Sequence, residues 1–192
     1  EDKALEQVHL TLGLSGPDYR DDALYTAQVL SNALGGGMSS RLFQELREKR
    51  GLCYTVFASS AAYADTGMMT LYAGTSGDKV DELARITVDE IKRAADDMST
   101  AEVERARAQM KAGLLMGLEG ASSRAERSAR LVAIWDRVPG LDETVAKIEA
   151  VNVTGVRDLA ARTARSSEMA LALYGPARPA PDLGALRERL AG

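Results

Sequence analysis

The strongest constraint on the fold is a strict alternation of apolar and other residues near the start of the chain. Its apolar members are Val8, Leu10, Leu12 and Leu14. Successive side chains of a strand point to opposite faces, so this spacing predicts a strand over residues 8–14 with one buried face. Gly16 and Pro17 end the pattern. A second alternating run, over residues 168–174, predicts a strand near the other end of the chain.

Helical spacing and turn residues dominate the sequence between these two strands. Two β-like runs, residues 53–63 and 67–75, are separated by a short turn and predict a hairpin. Ser99 and Glu102 form a capping box. Apolar residues at helical spacing predict helices over residues 21–34, 41–50, 80–98, 99–114, 124–136, 142–150 and 155–163.

This order of elements predicts an α+β fold, with a mostly antiparallel four-stranded sheet and helices packed on one side. We interpret residues 1–192 as a single domain that ends in a Pro-rich, weakly helical C-terminal tail, residues 176–192. The length suffices for one well-buried core.

Net charge and hydropathy argue against nucleic-acid binding and against a membrane-spanning helix. The net charge is −4, with both signs interspersed, whereas a nucleic-acid surface needs a concentrated basic patch. No apolar run approaches the roughly 20 residues that a membrane-spanning helix needs. We therefore expect neither a nucleic-acid partner nor a membrane span.

The chain contains too few His and Cys residues for a typical zinc site of its own. Hydrolytic zinc sites use three protein ligands, most often with at least two His, and this chain has one His and one Cys. Neither H-E-x-x-H nor the inverted H-x-x-E-H occurs. We expect no metal ligand here, and interpret His9 as a structural residue and Cys53 as a small buried hydrophobic one.

The glycine segment over residues 35–37, followed by Ser39, Ser40 and Arg41, allows two interpretations. Glycines before a helix that starts with two hydroxyls and an Arg can bind phosphate. The segment lacks the Gly-Lys-Ser/Thr ending of a P-loop, and a helix rather than a strand precedes it. The pattern therefore favours a tight helix-to-helix turn, in which the glycines adopt positive φ and Ser39 or Ser40 caps the second helix.

Arg47 and Tyr54 are candidates for ligand contact. Arg47 lies on the flank of the apolar stripe of its helix, and Gly51 is placed to cap that helix before Tyr54 enters a strand. A guanidinium offers a planar fork of donors for a carbonyl or carboxylate, and a phenol offers one neutral donor for a developing oxyanion. From the residues alone, convergence on a ligand and ordinary structural roles both stay open.

Residues 34–54 read LGGGMSSRLFQELREKRGLCY. This segment closely resembles a signature of the insulinase-like, mitochondrial-processing-peptidase-like zinc metallopeptidases of the pitrilysin clan. The resemblance is to the C-terminal, metal-free half of the bacterial processing-peptidase type. Agreement continues at residues 63–67, 72–74 and 117–119, and extends over nearly the whole chain.

The resemblance implies two homologous α+β halves that close over an extended peptide. Zinc is held in the N-terminal half by an inverted H-x-x-E-H motif and a downstream Glu. The C-terminal half contributes an Arg and a Tyr seven residues apart, which match Arg47 and Tyr54. They would hold the scissile region and hydrogen-bond the tetrahedral intermediate. The further residues predicted to contact substrate are Gly36, Gly37, Ser39 and Arg41.

By this resemblance the chain is the substrate-binding, chamber-closing half of a zinc metalloendopeptidase. We expect the isolated chain not to cleave peptides, with zinc supplied by a missing N-terminal half or a partner subunit that carries H-x-x-E-H. Whether the chain is a fragment or a separate subunit stays open, as does formation of a homo-oligomer. The alternative is a non-catalytic core or assembly subunit of the same fold. The sequence does not give the compartment; we expect a soluble protein, in the bacterial cytoplasm.

Overall fold

A computed structural model describes residues 2–166, 168–177 and 180–192. Its strands are β1 (Val8–Gly16), β2 (Cys53–Ala62), β3 (Gly67–Thr75) and β4 (Met169–Tyr174). Its α-helices are α1 (Leu24–Gly35), α2 (Val80–Asp97), α3 (Thr100–Met116), α4 (Ala121–Trp135), α5 (Leu141–Ala150), α6 (Val153–Arg165) and α7 (Leu183–Ala191). A π-helical segment covers Phe43–Lys49.

The strands form one sheet in the order β2-β3-β1-β4, and every neighbouring pair is antiparallel. The hairpin of β2 and β3 is closed by a hydrogen bond from Tyr63 N to Thr66 O (2.8 Å). The predicted α+β fold with an antiparallel four-stranded sheet is therefore confirmed. The two strands predicted at opposite ends of the sequence, β1 and β4, lie side by side in the sheet.

The helices pack on one face of the sheet, where the alternating side chains of β1 are buried. Val8, Leu10, Leu12 and Leu14 are each at most 2% exposed. The buried hydrophobic residues of the described ranges are Leu, Val, Ile, Ala, Met and Cys, with no Phe, Tyr or Trp among them. This is an aliphatic core, and the opposite face of β1 carries His9, Thr11 and Gly13.

The residues beyond Pro176 contribute to this core. Leu186 and Leu190 of α7 are buried, and α7 packs against α2. Arg189 Nε and Nη2 donate to the two carboxylate oxygens of Asp89 at 2.6 and 2.7 Å. The stretch predicted as a weakly helical tail thus includes a helix anchored by apolar and charged contacts.

Helix α4 differs from the other helices because none of its residues is buried. It begins at Ala121, three residues before the predicted start. Residues 117–120, which include Gly117 and Gly120, separate it from α3. Within the part of the chain that the structure describes, no helix is both long and apolar enough to cross a membrane.

The helix expected over residues 41–50 is π-helical over most of its length. The periodic apolar residues Leu42 and Leu46 are buried as expected, but such spacing does not distinguish an α-helix from a π-helix. The predicted Ser cap is wrong, because this helix has no side-chain cap hydrogen bond. Instead, Gln44 N donates to Ser40 O at 3.0 Å, and the Gln44 side chain donates to Met38 O at 2.7 Å.

Candidate functional site

The structure brings Arg47 and Tyr54 into direct contact. Arg47 Nη1 donates a hydrogen bond to the backbone oxygen of Tyr54 at 2.9 Å. The guanidinium carbon lies 4.4 Å from the centroid of the Tyr54 ring and 4.7 Å from that of Phe43. Cation–π contacts at exposed sites contribute about 0.5–1 kcal/mol each. The Arg47 guanidinium is therefore held in one place against two rings, and Phe43 is a partner that the sequence did not reveal.

A glycine turn sets the distance between the π-helical segment and β2. Gly51 has φ +59°, as its predicted capping role requires. Its N–H donates to Arg47 O at 3.1 Å, and Leu52 N donates to Leu46 O at 2.7 Å. Leu46 and Leu52 are both buried, so the core anchors the chain on either side of this turn.

A β-bulge then directs Tyr54 away from the sheet. Cys53 pairs with Thr75 and Thr55 pairs with Gly74, which leaves Tyr54 as the extra residue. Bulges of this kind redirect a side chain at the edge of a sheet. Tyr54 is 72% exposed whereas Cys53 is 8% exposed. Cys53 is buried as predicted, and burial raises the pKa of its thiol to about 11.

The glycine segment is a close contact between α1 and β2. A Cβ atom at Gly35 would lie 2.2 Å from the backbone nitrogen of Ala58, so the helix end approaches the strand more closely than any side chain allows. The expected positive φ is wrong for residues 35–37, since the described glycines with positive φ are Gly51 and Gly175. Gly36 ends α1 with φ −81° and donates from its N–H to Asn32 O at 2.7 Å.

Arg41 lies in an ion-pair network between the π-helical segment, α2 and α3. Its Nε and Nη2 donate to Glu102 at 2.6 and 3.0 Å, and its Nη1 donates to Asp97. The Arg41 side chain is 10% exposed. Burial alone would raise the pKa of Glu102, but hydrogen bonds from Arg41 and Ser99 outweigh it and lower that pKa to about 2.

Glu102 therefore both caps α3 and neutralises Arg41, while the sequence predicted only the cap. Ser39 is exposed, and Ser40 is buried with its hydroxyl oxygen lacking a hydrogen-bond partner in the structure. It stays a prediction that substrate is contacted by Gly36, Gly37, Ser39 and Arg41. In this structure the Arg41 guanidinium already donates to Glu102 and Asp97, so contact with substrate would require it to leave one of these carboxylates.

The described residues do not fit a zinc site. No group of three or more His, Cys, Asp or Glu in the described ranges is arranged to hold a metal ion. The imidazole of His9 shares a hydrogen bond with the Tyr72 hydroxyl, Nδ1 to Oη 2.7 Å, and Cys53 is buried on the other side of the sheet. We therefore assign no metal-dependent step to this chain.

These features define an α+β domain with a one-sided sheet and an exposed tyrosine, Tyr54, in contact with the partly buried Arg47. The sequence matches the family described as "Peptidase M16 inactive domain" over residues 1–110. This chain belongs to that family, as the resemblance over residues 34–54 predicts.

Curated relatives are named as zinc proteases. The chain is 37% identical over 182 residues to the "Uncharacterized zinc protease YmxG" of Bacillus subtilis (strain 168), covering 93% of this chain and 44% of the relative. It is 36% identical over 172 residues to the "Uncharacterized zinc protease SCO5738" of Streptomyces coelicolor, covering 89% of this chain and 37% of the relative. The chain thus spans less than half the length of these relatives.

A solved structure shares the fold. A chain of "Complex III2 from Candida albicans, Inz-5 bound" superposes with a TM-score of 0.90 at 22% identity, covering 98% of this chain and 48% of that one. At this identity the likeness concerns the fold alone.

Proposed function

We propose that this domain is the substrate-holding half of a zinc metallopeptidase, and that Arg47 and Tyr54 contact an extended peptide. The zinc would lie in a homologous half or partner subunit that carries H-x-x-E-H. The observation that carries the proposal is the geometry of Tyr54, whose ring the bulge leaves 72% exposed while Arg47 stacks against it. An exposed ring fixed from behind by a cation is suited to meet a ligand.

The two side chains supply complementary donors. A guanidinium has five N–H groups, and the bond to Tyr54 O uses one of them. Its Nε lies 3.7 Å from Glu48 Oε1, and the remaining donors suit peptide carbonyl oxygens, which Arg47 would hold in register. The Tyr54 hydroxyl is a neutral donor suited to an oxygen on which negative charge develops. Arg47 would then position both the peptide and the tyrosine.

The test is peptide cleavage by the chain combined with the half that carries H-x-x-E-H, either as one polypeptide or as a mixture. Changing Tyr54→Phe should lower kcat about 10²–10³-fold, as loss of one oxyanion donor does elsewhere, with a smaller effect on KM. Tyr25→Phe removes the same hydroxyl from a tyrosine on α1 and serves as the control. Unchanged turnover in Tyr54→Phe would remove Tyr54 from the chemistry.

The positioning role of Arg47 has its own test. Arg47→Lys keeps the charge but loses the planar fork and its stacking on two rings. We expect KM to rise and kcat to fall together, because both the peptide and Tyr54 lose their fixed position.

A second candidate is a non-catalytic core or assembly subunit of the same fold. The likeness to a chain of complex III2 favours it, because it shows that this fold occurs within an assembly. Normal association with the partner half, together with no peptide binding by the resulting pair, would support this function over the first.

A further inference from the structure

Two side chains of the π-helical segment hold the backbone on either side of it. Gln44 donates from Nε2 to the backbone oxygen of Met38 at 2.7 Å. Arg47 donates from Nη1 to the backbone oxygen of Tyr54 at 2.9 Å. Met38 lies before the segment and Tyr54 after it. The same short element therefore fixes one residue of the preceding glycine turn and one residue of β2.

Both of the residues that are fixed in this way extend their side chains into solvent. Met38 is 74% exposed and Tyr54 is 72% exposed, the two largest values among the exposed large hydrophobic residues of the described ranges. A single exposed apolar side chain is common at a protein surface. Here, however, the backbone of Met38 is held by a side chain of the element that also holds Tyr54. Met38 is thus presented to solvent in the same manner as the tyrosine.

Met38 lies at the tip of the glycine turn. Ser40 N donates to Gly37 O at 3.0 Å, which makes Met38 and Ser39 the two central residues of a four-residue turn. A Cβ atom at Gly37 would have one neighbour within 4 Å, Nε2 of the Gln109 side chain at 3.4 Å. The backbone beside Met38 is therefore open to close approach by another chain.

The glycine turn lies beside the strand that carries Tyr54. A Cβ atom at Gly35 would lie 2.2 Å from the backbone nitrogen of Ala58, which follows Tyr54 by four residues on β2. The two donating side chains start three residues apart in the π-helical segment, so their lengths limit the distance from Met38 O to Tyr54 O to about 25 Å. An extended peptide covers this distance with about eight residues. One peptide can therefore contact both residues.

The side chain of Met38 determines the chemistry of its partner. A thioether carries no charge and no hydrogen-bond donor, and its sulfur is a weak acceptor. Three rotatable bonds let methionine adapt to aliphatic and aromatic partners of different shapes. Contact with Met38 therefore favours an apolar side chain over a polar one of similar size.

We propose that Met38 contacts an apolar side chain of the peptide, within about eight residues of the bond that is held at Tyr54. Gln44 is the positioning residue for Met38, as Arg47 is for Tyr54. The inference rests on the proposed function, since the peptide is the same substrate. It adds the side chain at the tip of the glycine turn to the contacts predicted from the sequence.

The test measures kcat/KM for the chain combined with the half that carries H-x-x-E-H. The starting substrate is a peptide that the unsubstituted pair cleaves at a single bond. Each residue within eight positions of that bond is changed in turn to Leu and to Asn, which are similar in size. We expect the ratio of kcat/KM for Leu to that for Asn to be about ten or more at one position because of Met38.

Variants of the chain assign this preference. Met38→Ser should lower the Leu/Asn ratio at that position to near one and leave the ratios at all other positions unchanged, whereas Met38→Leu should preserve it. Met116→Ser is the matched control, since Met116 is 68% exposed at the end of α3. Circular dichroism verifies that every variant folds.

The positioning role of Gln44 is tested with the same peptides. Gln44→Glu has nearly the same size but lacks the N–H group that donates to Met38 O. It should lower the Leu/Asn ratio at the position that Met38→Ser identifies, and at no other position. Unchanged ratios in Gln44→Glu would remove this role.

The same Leu/Asn ratios in Met38→Ser as in the unsubstituted chain would overturn the inference. So would weaker association of the two halves in Met38→Ser, measured by analytical ultracentrifugation, with unchanged ratios, because Met38 would then contact the partner half. Unchanged Met38→Ser ratios together with slow Tyr54→Phe turnover overturn this inference and leave the proposed function intact. No cleavage by the unsubstituted pair would overturn the proposed function, and this inference with it.

Discussion

The two faces of this sheet use the same strands for different purposes. On the helix side, Leu10 and Leu12 of β1 are 2% exposed and belong to an aliphatic core. On the open side, the ring of His9 lies 6.0 Å from that of Tyr72 and 6.4 Å from that of Tyr174, on the two neighbouring strands. Adjacent residues of β1 point to opposite faces of the sheet. A substitution in this strand can therefore change the core without changing the open face, or the reverse.

The largest contrast is expected within β1. Leu12→Ala should lower the free energy of unfolding by about 3 kcal/mol, because it opens a cavity in a packed core. Thr11→Ala, its neighbour on the open face, should change it by less than about 0.5 kcal/mol. Urea denaturation measures both. Equal losses would show that the open face is also part of the core.

The reactivity of the Cys53 thiol tests whether this residue lies on the buried face of the sheet, directly before the bulge at Tyr54. Cys53 is the only cysteine, and burial raises its pKa to about 11. Alkylation by iodoacetamide at pH 8 should be about a hundredfold slower in the folded chain than in urea, because the folded thiol is buried and rarely ionised. Similar rates would place Cys53 on the exposed side and contradict the bulge.

Acid should weaken the helix layer through Glu102. Its pKa is lowered from 4.5 to about 2 in the folded chain, so the stability it contributes is complete above pH 4.5 and lost as the pH falls toward 2. Glu102→Gln should remove this part of the pH dependence and cost about 1–2 kcal/mol at pH 7, allowing for partial exposure. Glu104→Gln, an exposed position on α3, is the control. Parallel pH curves for Glu102→Gln and the unsubstituted chain would exclude this contribution.

The smallest effect is expected for Phe57, whose ring stacks on that of Tyr72 on the open face of the sheet. Phe57→Ser should lower stability by less than about 1 kcal/mol, since it removes one ring contact from a half-exposed edge position. A thermal melt followed by circular dichroism measures this. A loss comparable to that of Leu12→Ala would show that the rings on the open face stabilise the fold as much as the core does.

The elements were predictable where the signal was local. The alternation at Val8–Leu14, the hairpin and the capping box at Ser99 all depend on residues close in sequence. The predicted start of α1 at residue 21 is three residues early, since the helix begins at Leu24. Asp21 instead accepts a hydrogen bond from Ala23 N before the helix begins. The pairing of β1 with β4 joins His9 to Tyr174, and no local pattern encodes such a pairing.

The site was predictable only in part for the same reason. The sequence offered Arg47 and Tyr54 as a pair by resemblance, while the residues alone left their contact open. Their contact depends on the Gly51 turn, which the sequence suggested, and on the bulge, which it did not. Arg41 pairs with Glu102 and Asp97, which lie 61 and 56 residues away in sequence. The stacking of Phe57 on Tyr72 likewise follows only from the strand register.

The bulge at Tyr54 has a consequence for how the chain tolerates changes in length. Since Tyr54 is the extra residue between two paired positions, a chain without it could pair Cys53 and Thr55 with adjacent residues of β3 in a regular ladder. An insertion elsewhere in β2 would instead turn the following side chains to the wrong face. Strand pairing therefore does not require Tyr54. Deletion of this one residue would remove the exposed tyrosine and leave the fold intact.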